Sequence, residues 1–116
     1  MNPVSDDWQP VCRVAELVVE RGATALVHGQ AIAIFRTQDD TVYALGNHDP
    51  FAKASVLARG IIGTRGGTPF VASPLHQHAF DLRSGRCLDD RHVSVPAYDV
   101  RVVEGVVLVG QRKTDT

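Results

Sequence analysis

Hydrophobic and polar residues alternate along most of the chain, and the alternation predicts strands rather than helices. Over residues 30–36, Ile32 and Ile34 share one face with Arg36, while Ala31, Ala33 and Phe35 share the other. Two apolar faces predict a strand buried on both sides. Asp39-Asp40 then marks a tight turn. Residues 41–45 resume the alternation with Val42 and Ala44 opposed to Tyr43 and Leu45, so the two runs read as a hairpin. The pattern returns near the C-terminus, where 98–103 and 106–109 flank Glu104-Gly105. An acid-Gly pair before a β-branched run is a strong hairpin signal. Shorter strands are expected at 8–12, 23–28, 70–72 and 79–82, with Ser84-Gly85 as a further turn. Helix is scarce: one or two turns at 13–18 and another at 53–58. Short strands with frequent turns predict an all-β sandwich or small, partly closed barrel.

One stretch departs from this grammar. Residues 48–69 show little alternation, contain Gly63, Gly66 and Gly67, and have prolines near both ends. They read as one long irregular loop with the glycines as punctuation, and a loop of that length inside a compact domain is usually functional. The polar tail 111–116 reads as frayed.

Composition narrows the function classes. The chain has 116 residues, 44% of them hydrophobic and 22% charged, which fits one domain over 1–116 with a core of about 8–110. The net charge is -1, so a basic nucleic-acid footprint is not expected. No run approaches a membrane span. The N-terminal residues carry acids and no apolar run, so no secretory leader is expected and the expected compartment is the cytoplasm. Cys12 and Cys87 belong to no C-x-x-C pair and read as buried structural thiols.

Candidate chemistry from residue types alone is sparse. His76 and His78 share one face if they lie on a strand, and with Asp49 they could make a facial metal triad. An H-x-H pair without a third ligand at defined spacing is a weak signal, and solvated or structural imidazoles are the plainer expectation. Ser73 precedes Pro74 and lacks the setting of a nucleophile elbow.

Two runs carry a resemblance. Val42-Tyr-Ala-Leu-Gly-Asn-His-Asp-Pro-Phe51 and Val71-Ala-Ser-Pro-Leu-His-Gln-His-Ala-Phe-Asp-Leu-Arg-Ser-Gly-Arg-Cys-Leu88 resemble a Rieske domain. More closely, they resemble the small subunits of assimilatory NAD(P)H-dependent nitrite reductases. The resemblance implies a Rieske-like all-β fold: small antiparallel sheets with a loop subdomain of the cluster-binding kind. A Rieske domain holds its [2Fe–2S] centre on two loops, each giving one Cys and one His. On this chain those positions fall on Asp49, Phe51, Ser73 and His76, and the glycine that follows in the family pattern falls on Gln77. Both thiolates are missing, so no cluster is expected. Asp49 and Ser73 suit side-chain turns that hold the loops without metal, and Phe51 reads as an apolar plug.

The resemblance further implies a non-catalytic subunit of a cytoplasmic enzyme that reduces nitrite to ammonium, with FAD, sirohaem and an iron–sulfur cluster in the large subunit. The implied partner is that large subunit, with no nucleic acid and no membrane. The expected docking surface is the loop tip, 48–51 and 73–78: His48, Asp49, Phe51, Leu75, His76 and His78. Two alternatives stay open: a ferredoxin-like electron carrier of Rieske type, and a free-standing binding module with a metal at His76 and His78.

Overall fold

The computed structural model describes residues 8–113. Eleven strands appear in the order β1 (Gln9–Arg13), β2 (Arg21–Val27), β3 (Gln30–Arg36), β4 (Val42–Gly46), β5 (His48–Asp49), β6 (Ala54–Ser55), β7 (Ile61–Arg65), β8 (Thr68–Ala72), β9 (Ala79–Asp81), β10 (Ala97–Val103) and β11 (Val106–Arg112). Six of them form an antiparallel sheet in the order β1-β11-β10-β4-β3-β2, and β7-β8-β9 form a second sheet. The large sheet curls until its edges approach. The Gln9 side chain bridges them, donating from Nε2 to the Leu26 carbonyl at 3.3 Å and accepting from the His28 N–H at 3.4 Å. The result is an all-β, nearly closed barrel with the smaller sheet packed on its side.

β3 is the shared wall. Ile32 and Ile34 face the barrel interior with Val27, Val42, Ala44, Val107 and Val109. Ala33 and Phe35 face the other way, onto Leu45, Leu57, Val71, Phe80 and Leu82. All four β3 residues are at most 1% exposed, as two apolar faces require. Ile32, Ile34 and Phe35 each contribute about 1.5–3 kcal/mol by leaving water, and the Ala33 methyl less. The 104–105 turn also forms as expected: Glu104 and Gly105 both adopt positive φ, 51° and 80°. That twist suits a two-residue hairpin.

Three expectations need correction. The stretch 48–69 is not one irregular loop. It contains the β5–β6 hairpin, a 3₁₀ turn at Leu57–Arg59 and the whole of β7. The helical turns shrink to 3₁₀ turns at Val14–Glu16 and Leu57–Arg59, each ended by a residue in extended conformation, Leu17 at ψ 128° and Gly60 at ψ 173°. The polar tail does not begin at 111. Gln111 and Arg112 continue β11, and Arg112 pairs with Tyr98.

Candidate functional site

The two loops of the resemblance meet at one end of the smaller sheet. The first is the turn of the β5–β6 hairpin. It closes with the Lys53 N–H donating to the Asp49 carbonyl at 2.7 Å and Lys53 in the left-handed region at φ 56°. The second joins β8 to β9. Its ends are tied by the Ser73 N–H donating to the His78 carbonyl at 2.9 Å, and the Gln77 N–H donates to the Ser73 carbonyl at 2.9 Å. Gln77 has φ 61°. That conformation strains a side chain with a Cβ, which explains the glycine at this point of the family pattern.

Asp49 is the hub. Its side chain is fully buried. Oδ1 accepts the Phe51 N–H at 2.9 Å and the Ala52 N–H at 3.3 Å, an Asx turn that shapes the first loop. Oδ2 accepts a hydrogen bond from the Ser73 hydroxyl, which crosses to the second loop. Ser73 is 1% exposed, and its Oγ also accepts the Leu75 N–H at 3.4 Å. Each loop thus folds around its own short polar side chain, and the two side chains join the loops to one another.

Phe51 packs against the same junction. Its ring stacks on the His78 imidazole with centroids 3.6 Å apart and planes 6° from parallel, and lies 6.2 Å from the Phe80 ring. The imidazole in the site is therefore that of His78, not the one at the ligand position. His76 is exposed, with its ring 6.4 Å from that of His78. The His78 Nδ1 is buried and has no hydrogen-bond partner among the described residues.

These contacts test the donor set for a [2Fe–2S] cluster, and it does not fit. The thiolate positions hold a carboxylate and a hydroxyl already bonded to each other, which leaves no gap for an iron between them. Phe51 offers no lone pair. Cys87 lies in the core and Cys12 on β1, and neither belongs to either loop. Burial and the nearby Glu16 carboxylate push the Cys12 thiol up, which disfavours the thiolate that binds metals. Among the described residues no group of three His, Cys, Asp or Glu side chains could hold a metal ion. The triad of Asp49, His76 and His78 does not assemble, because Asp49 is spent on Ser73 and the loop amides.

The expected docking residues divide. His48 and His76 are exposed, and Leu75 is 55% exposed. Phe51 and His78 are half-buried in their stack. Asp49 must be removed from the contact surface: it is 0% exposed and shapes the tip from beneath.

Two positioning residues were given no role by the sequence reading: Asn47, within the first run, and Asp89, outside both. Asn47 is buried. Its Oδ1 accepts the Ala58 N–H at 2.8 Å, and its Nδ2 donates to the Ser55 carbonyl at 3.3 Å, pinning the segment after the first loop. Asp89 accepts the Ala79 N–H at 2.8 Å and is paired with Arg65 at 3.3 Å. The Ala79 amide, with Arg65 and His78 nearby, holds its carboxyl below the ordinary carboxylate range. Asn47 stands inside the first of the two runs, directly before His48, while nothing in the sequence signalled Asp89.

Known proteins resemble this chain in sequence and fold. The chain matches the family described as "Rieske-like [2Fe-2S] domain" over residues 7–110. It is 45% identical over 101 residues to the nitrite reductase (NADH) small subunit of Salmonella typhimurium, covering 86% of this chain and 94% of that one. A solution structure of the nitrite reductase [NAD(P)H] small subunit from Erwinia carotovora superposes with a TM-score of 0.79 at 42% identity, covering 97% of this chain and 86% of the other. A further match is to part of a longer chain. It is 39% identical over 109 residues to the nitrite reductase [NAD(P)H] large subunit of Klebsiella oxytoca, covering 94% of this chain and 11% of that protein.

Proposed function

We propose a role for this chain that proceeds from its family: it belongs to the Rieske-like [2Fe-2S] domain family and, within it, to the nitrite reductase small subunits. In this reading it docks to the large subunit of an NAD(P)H-dependent nitrite reductase and carries no redox centre of its own. The large subunit holds the FAD, the sirohaem and an iron–sulfur cluster, and those groups carry the reduction of nitrite to ammonium. The compartment is the cytoplasm.

The observation that carries the reading is the Asp49–Ser73 hydrogen bond. A Rieske centre needs two thiolates on one of its irons, and here the residues at those positions satisfy each other. What remains of the site is a rigid, shaped surface. His48, Leu75 and His76 stand out from it, and the exposed parts of Phe51 and His78 lie between them. Loops already fixed in one conformation lose little entropy on binding, which favours affinity. The choice of partner is supported by the Klebsiella large subunit, which contains a similar stretch within its own polypeptide. Joining two partners in one chain raises their effective concentration and preserves an association already useful.

The test has two parts. Mixed with the large subunit from the same organism, the full-length chain should form a complex that survives gel filtration. Alone, after anaerobic reconstitution, it should hold neither iron nor acid-labile sulfide and should not turn over nitrite with NADH. Near-stoichiometric iron and sulfide, or turnover by the chain alone, would overturn the reading.

A further inference from the structure

Three segments form a concave surface that shares no residue with the loop tip: the turn at Ser84, the stretch 94–97, and the end of β11 with Lys113. Together they line a cleft of about 460 Å³. Val95 and Ala97 lie beneath it, each only 4% exposed. Its rim is polar and exposed, formed by Ser84, Ser94, Arg112 and Lys113. Neither cation of the rim forms an ion pair among the described residues, whose ion pairs are Arg36–Asp40, Arg65–Asp89 and Arg83–Asp81. No acidic residue lines the cleft. In a protein of net charge -1, this is a local positive site in a weakly acidic molecule.

The backbone distinguishes between kinds of anion. A small free oxyanion is held by free amides converging on it, and two backbone amides of this cleft are engaged within the fold. The Val95 N–H donates to the Gly85 carbonyl at 2.8 Å, and the Lys113 N–H donates to the Ala97 carbonyl at 2.7 Å. What the cleft offers is cationic and hydroxyl side chains around a mouth beneath which Val95 and Ala97 are already buried, so recognition falls to charge-assisted bonds with side-chain carboxylates of a partner segment. We propose that this cleft receives an acidic segment of the large subunit, its carboxylates on Arg112 and Lys113. The inference rests on the docking reading above and adds to it a second, electrostatic contact separate from the tip.

Affinity of the full-length chain for the large subunit, measured by calorimetry at low and high salt, tests it. Exposed charge pairs are screened as the Debye length shortens from about 10 Å at 0.1 M to about 3 Å at 1 M. Wild-type binding should therefore weaken with salt. Arg112→Glu should weaken binding at least tenfold at low salt and remove most of the salt dependence, and Arg112→Gln should fall between. Both variants leave the Lys113 Nζ bond to the Arg83 carbonyl in place and should unfold at the wild-type temperature. Wild-type affinity and salt dependence in both folded variants would overturn the inference and leave the docking reading standing. Absence of any wild-type complex would overturn both. Competition by inorganic phosphate well beyond that of chloride at equal ionic strength would mark a site for a free oxyanion and overturn the choice of occupant. Tighter binding by a chain ended after Lys113 would mark the chain's own tail as the occupant, with the same consequence.

Discussion

A buried carboxylate is tolerated only when its lone pairs are met, and Asp49 meets that condition with two backbone amides and one hydroxyl. Removing either member of the cross-loop pair exposes the asymmetry of such a bond. Ser73→Ala leaves Asp49 with its two amides and should cost about 1–3 kcal/mol. Asp49→Ala strands both amides and the Ser73 hydroxyl, so it should cost more. The double variant should cost less than the sum of the singles, because the shared bond is lost only once. Urea unfolding of the four proteins measures this, and strict additivity would refute the cross-loop bond. Gln77 gives a change of opposite sign. Its positive φ suits glycine, so Gln77→Gly should stabilise by about 1 kcal/mol. An unchanged unfolding midpoint would contradict the strain. Both residues were visible in the sequence as departures from a family pattern. What could not be read there was that the departures satisfy each other, since Asp49 and Ser73 are far apart along the chain.

Legibility varies between elements for a physical reason. β3 and the Glu104-Gly105 hairpin were readable because each carries a complete local signal: two apolar faces in one, an acid-Gly turn between β-branched runs in the other. β7 was not. Ile61 is 73% exposed, Ile62 packs on the core, and a Cβ at Gly63 would stand 2.6 Å from the Phe70 ring. The glycine is thus there to admit an aromatic ring from the paired strand, and its loss of alternation reads as loop. The Gly66-Gly67 pair is the hairpin turn, at φ 55° and 83°, and without alternating strands recognisable on both sides a glycine pair reads only as loop punctuation. Asp89 then serves the whole small sheet. It takes a hydrogen bond from the first N–H of β9 and pairs with Arg65 on β7, the two edges on either side of β8. Its carboxyl is held below the usual range, so its stabilisation is present at neutral pH and is lost as pH falls through that lowered value. Asp89→Asn should melt below wild type at pH 7, by a small margin because the pair is exposed. The gap should close on acidification below the ordinary carboxylate range. A gap constant from neutral to strongly acid pH would show that the charge of Asp89 contributes nothing.

At the scale of the whole molecule, the barrel and small sheet act as a mount for the loop tip. The core behind the tip is continuous: Phe51 packs on Phe80 and His78, and Phe80 belongs to the cluster that includes Phe35 of the shared wall. The tip side chains at the surface are free of that packing. Leu75 is 55% exposed, so a change there reads the surface and not the fold. Leu75→Asp should therefore weaken association with the large subunit by about 1–3 kcal/mol, the loss expected of a central apolar anchor, and leave the melting temperature nearly unchanged. Asp49→Ala should weaken the same association by another route, because a loosened tip must be ordered on binding; its melting temperature should fall in parallel. The outer face of the C-terminal hairpin is the control. Glu104 sits on an exposed turn with no side-chain partner among the described residues, and Glu104→Lys should bind as wild type. Calorimetry of each variant against the large subunit, with thermal unfolding alongside, separates the three behaviours. Normal binding by Leu75→Asp together with a large loss in Glu104→Lys would move the interface to the hairpin and end the case for the tip.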